Sequence, residues 1–165
     1  MAEIILRTAD NTHIADIRKV LSCSVEEKLT TEKTLSFEVL LRGDVASVND
    51  KLKYVAEFEG DFYDVTSIKK SLQNGIYQAA FDCEHISYRL TDCKLAYFAN
   101  NGTLKETLTK LLGGTGFSCG DIPDTEVKAF SIPSTSTVRA VVLDLAELFG
   151  YEVEFHQYYA TMKKH

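Results

Sequence analysis

The 165-residue sequence contains no tryptophan and only two prolines. Without tryptophan it lacks the broadest aromatic platform on which carbohydrate receptors stack sugar rings, which counts against a glycan-binding module. There is no Pro-rich linker, low-complexity tract or internal repeat, so neither a solenoid nor a stalk is indicated. No apolar run approaches the ~20 residues that span a bilayer, and membrane insertion by this segment is not expected. The N-terminal MAEIILRTADNTH lacks a basic n-region followed by a long apolar core and a small-residue cleavage site, so synthesis in the cytoplasm is expected. Basic clusters are absent as well. The longest Lys/Arg runs are pairs, with 12 basic against 16 acidic residues over 1–99 and 6 against 8 beyond, for a net charge of -6. Duplex affinity comes mainly from clustered cations that displace counterions from phosphates, so this even acidity argues against a nucleic-acid binder.

What is present is ordinary for a soluble domain: 45% hydrophobic and 25% charged residues. A chain of this length hides roughly two-thirds of the surface its unfolded form exposes, enough for a core without metals or disulfide staples, and no cofactor is expected. The four cysteines, Cys23, Cys83, Cys93 and Cys119, include no C-x-x-C pair and read as reduced, mostly buried thiols.

Hydrophobic periodicity divides the chain. From residue 3 to about 92 apolar residues mostly alternate, most clearly at Leu35, Phe37, Val39 and Leu41, which predicts strands. Tyr54–Glu59 and Phe62–Ile68 flank Gly60-Asp61, and Phe62–Ser71 meets Ile76–Cys83 across Asn74-Gly75. Gly and Asn tolerate the positive φ of tight hairpin turns, so a three-strand meander is predicted. Strands near Ile4, over Arg18–Leu29 and over Leu35–Leu41 bring the count to about six, the pattern of a small closed barrel or sandwich.

After Asn100 the period becomes helical. Thr103 and Glu106 form a capping-box pattern, Leu104, Leu108, Leu111 and Leu112 make an apolar stripe, and Gly113 is the predicted left-handed stop. A second helix is predicted from Ser134 or Ser136, carrying Val138, Val141, Val142, Leu145, Leu148 and Phe149 on one side and halting at Gly150. Glu126–Ile132 and Tyr151–Phe155 read as strands. The predicted fold class is therefore α+β: an N-terminal antiparallel barrel or sandwich over 1–99, then a helix-strand-helix-strand unit over 100–165, with a soft boundary at Asn100-Asn101-Gly102.

Candidate chemistry is thin. Gly113-Gly114-Thr115-Gly116-Phe117 lacks the Lys-Ser/Thr pair of a Walker loop and closes a helix instead of opening one, so it reads as a turn. Cys83, His85 and Cys93 offer three soft ligands, but their spacing fits no usual zinc module, and Cys83 continues the inward positions Ala79 and Phe81. A Cys-His nucleophile pair can be assembled from His85 with any thiol, or from His156 with Cys119, because such partners need adjacency only in space. No nucleophile elbow, oxyanion-type loop or H-E-x-x-H accompanies them, and catalysis by this chain is not expected. Glu57 with Glu59, and Glu152 with Glu154, read as solvated strand faces. Tyr151, Phe155, Tyr158 and Tyr159 read as core strand first and contact surface second. No catalytic, cofactor-binding or metal residue is therefore assigned.

The order of segments carries more than any one site. Cys83-Glu84-His85-Ile86-Ser87-Tyr88-Arg89-Leu90, then Thr107-Leu108-Thr109-Lys110-Leu111-Leu112-Gly113-Gly114-Thr115-Gly116-Phe117, then Ser136-Thr137-Val138-Arg139-Ala140 before Gly150-Tyr151-Glu152-Val153-Glu154-Phe155, resembles the N-terminal region of phage and prophage tail proteins. These are the tail-associated lysin or minor structural proteins related to baseplate hubs, and the resemblance spans nearly the whole chain. It implies a structural virion component made in the bacterial cytoplasm: a homotrimeric hub at the tail tip that grips a ring of distal tail protein. Fibres or peptidoglycan-degrading regions would lie on its C-terminal side. Such hubs hold two related barrels per subunit, and this chain would carry the first barrel and part of the neighbouring α+β domain. Two alternatives keep the architecture: the hub of a type VI secretion or phage-tail-like injection spike, and part of a cell-wall-degrading tail enzyme whose catalytic region lies elsewhere. DNA would pass without specific binding, so acidic side chains are expected on one concave face of the barrel.

Overall fold

A computed structural model describes residues 3–28 and 32–164. The chain divides between Ile86 and Ser87 into two compact units. The first unit holds β1 (Ile4–Thr8), β2 (His13–Ile17), β3 (Ser22–Glu27), β4 (Lys33–Leu40), β5 (Tyr54–Phe58), β6 (Asp61–Gln73) and β7 (Ile76–His85). They form one antiparallel sheet in the order β2-β1-β5-β6-β7-β4-β3.

The meander forms with its second turn at Asn74-Gly75 as predicted, while the first is Glu59-Gly60, one position before the expected Gly60-Asp61. Glu59-Gly60 and Asn74-Gly75 all have positive φ (51° and 79°, 50° and 76°), and these two-residue turns set the registers Phe58↔Asp61 and Gln73↔Ile76. Alternation then sends Leu35, Phe37, Val39, Ala56, Ala79, Phe81 and Cys83 to one face, where they join Ile4, Leu6 and Tyr63 in a single core. Phe37 and Phe81 stack there with ring centroids 4.6 Å apart. In β6 the alternation changes phase at a bulge between Val65 and Ser67: Tyr63 and Val65 lie opposite His85 and Cys83, and beyond the bulge Ile68 lies opposite Phe81.

The predicted closure of the sheet is not found. Among the described residues β2 and β3 are edge strands, each hydrogen-bonded to one neighbouring strand. The topology nevertheless forces strong curling. Six inter-strand steps in a flat sheet separate its edges by about 29 Å, whereas Ile17 and Ser22, on opposite edges, are joined by a link that reaches about 18 Å at most. A 3-10 turn at Gly43–Ser47 packs against β2, on the unpaired side of this incomplete barrel. The strand expected over Arg18–Leu29 is shorter, Ser22–Glu27, because residues 18–21 form the link; Leu29 lies outside the described residues.

The second unit holds β8 (Lys94–Leu95), β9 (Phe98–Gly102), α1 (Leu104–Leu112), β10 (Ser118–Cys119), β11 (Lys128–Ile132), β12 (Ser136–Thr137), α2 (Val138–Phe149), β13 (Tyr151–His156) and β14 (Tyr159–Lys164). Both halves of the capping box are made, with Thr103 Oγ1 accepting from the Glu106 amide and Glu106 Oε2 from the Thr103 amide. The left-handed residue after α1 is Gly114 (φ 76°), and Gly113 keeps a negative φ, which corrects the expected stop by one position. α2 starts after an N-cap at Thr137, its hydroxyl accepting from the Ala140 amide, and ends at left-handed Gly150. Leu104, Leu108, Leu111 and Leu112 pack with Val138, Val141, Val142 and Leu145 in the core of this unit, while Leu148, expected on the buried side, is exposed. Asn100-Asn101-Gly102 forms the end of β9, paired with β11 from Gly102↔Lys128 to Asn100↔Phe130. The molecule is thus mostly β, with two α-helices among the described residues.

Candidate functional site

In the first unit, three strands bring a charged cluster into the core. Asp61 opens β6 on its inward face, His85 closes β7 on the same face, and Lys33 opens β4. Asp61 Oδ1 lies 2.7 Å from His85 Nε2 and accepts from the Phe62 amide at 3.2 Å, while Oδ2 accepts from Lys33 Nζ at 2.7 Å. The side chains of His85 and Asp61 are 0% and 4% exposed, and Tyr63 meets the His85 ring edge-on at 5.6 Å. Burial and the negative charge of Asp61 push the Tyr63 phenol well above its ordinary pKa. Within this cluster His85 and Asp61 are buried, and Lys33 alone of the three is partly exposed.

Of the residues singled out for chemistry, Cys83 and His85 share the inward face of β7 two positions apart, while Cys119 and His156 are kept apart. Cys83 sits inward on β7, and burial followed by the nearby Asp82 and Asp64 charges pushes its thiol far above the ordinary range, which favours the protonated thiol. Cys119 and His156 flank β14 from opposite sides: Cys119 shares its cross-strand row with Ala160 and Phe155, His156 with Tyr159 and Ser118, so the two side chains face opposite sides of the sheet. Cys119 Sγ instead lies 3.3 Å from Thr109 Oγ1. Among the described residues no group of three or more His, Cys, Asp or Glu can hold a metal ion. All four cysteines are thiols, but the expectation that most are buried holds only for Cys83; Cys23 is exposed because β3 is an edge strand.

The glycine-rich stretch forms a turn, as its residues predict. Thr115 donates its amide and hydroxyl to the Leu112 carbonyl and accepts from the Phe117 amide, capping α1 from its C-terminal side. Glu57 pairs with Arg7 at 3.6 Å on the outward face, whereas Glu59 is a turn residue and not its strand companion. Glu154 pairs with Lys163 across the β13–β14 ladder. Of the four aromatic residues, Phe155 is core, Tyr158 and Tyr159 are exposed at the turn, and Tyr151 is half-buried.

Surfaces remain as the candidate site. Carboxylates do gather on one face of the curled sheet, but it is the outward face, because the inward one is filled by the core. Register places Glu38, Glu57, Asp64, Asp82 and Glu84 there, against Arg7 and Lys69. At the end of the β6–β7 hairpin Leu72, Ile76 and Tyr77 are exposed by 51–62%. In the second unit Tyr97, Val127 and Tyr159 are exposed by 48–69%. Large apolar side chains in water, rimmed by charge, are what protein contacts use. No helix of the described residues is long and apolar enough to cross a membrane.

No family model and no curated protein matches the chain. Solved structures do. The prophage tail protein gp18 from Listeria monocytogenes EGD-e aligns with a TM-score of 0.75 at 15% identity, over 98% of this chain and 50% of that one. The tail protein from Neisseria meningitidis MC58 aligns at 0.73 and 10% identity, over 98% and 50%. The 43 kDa tail protein of prophage MuSo2 from Shewanella oneidensis aligns at 0.70 and 13% identity, over 99% and 53%. The chain therefore spans about half the length of these proteins, and shares with them its fold along nearly all of its own residues.

Proposed function

We propose that the chain is a structural part of a phage or prophage tail, the N-terminal region of a baseplate hub whose work is to be held by neighbouring subunits. The observation that carries this reading is the fold shared along nearly the whole chain with three separate tail proteins. Two features of the surface support it. Exposed aromatic and aliphatic side chains occur in both units, suited to symmetric association. The acidic outward face of the sheet repels phosphates and offers few counterion-releasing contacts, which suits a part past which DNA must move without sticking. In this reading the partners are two further copies of the hub protein and a ring of distal tail protein, and the chain has no reaction to perform.

The test is co-expression of the chain, with whatever flanking sequence its gene encodes, beside the distal tail protein of the same genome. Light scattering and cross-linking are expected to give a hub trimer bound to the ring. A hub that stays monomeric and ignores the ring, or one that clears peptidoglycan in a zymogram through residues 1–165, would refute the reading.

A further inference from the structure

Where a complete barrel would close, this sheet leaves a cleft of about 650 Å³. Volumes of about 300–1,000 Å³ are those of sites that take ligands or short peptide segments. Its walls are the end of β2, the link at residues 18–21, the end of β4, Arg42 and Val45. Ile17, Val39 and Val45 are buried in the floor, Val20 is half-buried and Leu21 is exposed at the rim.

The charged groups at the lip are unevenly engaged. Arg18 Nε holds Glu3 at 2.8 Å, and Asp16 accepts from His13 at 2.7 Å, a bond that lowers its pKa and keeps its charge local. Lys19 and Arg42 make no side-chain hydrogen bond or ion pair among the described residues. An acidic chain of net charge -6 therefore presents two uncommitted cations above an apolar floor. Beside them β2 pairs, among the described residues, with β1 alone, and where the 3-10 turn at Gly43–Ser47 does not cover it the far edge carries open backbone donors and acceptors.

We propose that this cleft docks an extended acidic segment of another polypeptide. One apolar side chain of the segment rests on Ile17, Val20 and Val39, its carboxylates reach Lys19 and Arg42, and its backbone runs beside β2. Charge complementarity selects an acidic occupant, and the open strand edge selects an extended one. A nucleic acid fits less well: the lining has no aromatic side chain for bases to stack on, and the outward face of the same sheet is acidic. This inference goes beyond the tail reading and does not rest on it.

The test is fluorescence anisotropy of the whole chain with a fluorescein-labelled Glu-Leu-Glu-Val-Glu-Leu peptide at low and high salt. Parallel runs use the peptide with Lys in place of each Glu, and an oligodeoxythymidine. The acidic peptide is expected to bind, more weakly as salt rises, and Lys19→Glu with Arg42→Glu is expected to weaken it by about tenfold or more. Lys19→Ala with Arg42→Ala reads the same loss without added repulsion, and both sites are exposed, so the fold is retained. Lys51→Glu with Lys53→Glu, away from the cleft lining, is expected to change nothing. Unchanged affinity in both cleft variants, no binding of the acidic peptide, or tighter binding of the oligonucleotide would overturn the proposal. None of these results touches the tail reading, which rests on the shared fold.

Discussion

Replacing Asp61 by alanine removes the acceptor on which strands β4, β6 and β7 converge. The two cations or donors left behind differ in their access to water. His85 is fully buried, so its Nε2 loses that partner in a site closed to solvent, at about 1–3 kcal/mol. Lys33 is 22% exposed and can turn outward, which holds its share to about 1 kcal/mol or less. The expected loss is therefore about 1–4 kcal/mol, below the upper end for breaking a fully buried pair because one partner can escape. Asp61→Asn keeps a carbonyl for Lys33 and presents an amide to a His85 tautomer that accepts, so about 1–2 kcal/mol is expected. Lys33→Met leaves the His85–Asp61 contact in place but strips the cation from a carboxylate that is 4% exposed, so about 1–3 kcal/mol is expected. Urea unfolding followed by far-UV circular dichroism reads these differences. With a slope of about 2 kcal/mol per molar, Asp61→Ala shifts the midpoint down by about 0.5–2 M. A loss under about 1 kcal/mol in Asp61→Ala would show that the carboxylate is not the tie described.

Thiol labelling by dithionitrobenzoate at pH 8 should reach Cys23 first and Cys83 last; early labelling of Cys83 in native protein would contradict its burial. Because the Cys83 pKa is raised on folding, its contribution to stability is complete below a thiol's ordinary pKa of about 8.5 and fades as pH rises above it, so Cys83→Ala should flatten the alkaline limb of the stability profile. Glu106 shifts the other way: hydrogen bonds from the Thr103 amide and hydroxyl lower its pKa, so its midpoint in an NMR titration should fall below that of an ordinary glutamate. Glu106→Gln should remove the matching loss of α1 stability as pH falls. Gly150→Ala meets no atom within 4 Å but must adopt φ 76°, and a loss of about 1–2 kcal/mol in the same urea assay is expected; no loss would mean that the turn relaxes.

The meander was legible because its information is local. Asn74-Gly75 and Gly60 dictate turns that fix register, and alternation then sorts Phe81, Cys83 and His85 to one face. The helix ends at Thr103 and Gly150 were legible for the same reason. What could not be read depends on pairing between distant segments. The Lys33–Asp61–His85 tie joins residues 28 and 24 positions apart, with no motif at any of them. The exposure of Cys23 follows from β3 lying at an edge, which its own sequence does not announce. β8, β10 and β12 are two residues long, below the length at which any period is visible. β14 carries too little pattern to be read, because Ala160 and Met162 are its only buried apolar residues. The surface cleft was invisible because its walls come from β2, the link after it and β4, brought together only when the sheet curls.

The bulge in β6 has a consequence for how the protein tolerates change in length. Val65 faces Cys83 and Ser67 faces Asp82, so Thr66 is a supernumerary residue, held by its hydroxyl on the Asp82 carbonyl at 3.0 Å. Deleting Thr66 restores plain alternation and leaves Ile68 opposite Phe81. Deleting Ser71 instead pulls every later residue of β6 one step out of phase with the Asn74-Gly75 turn. Two single-residue deletions five positions apart on one strand thus have opposite fates, because the spare residue belongs to the ladder at one place and to the hairpin's count at the other.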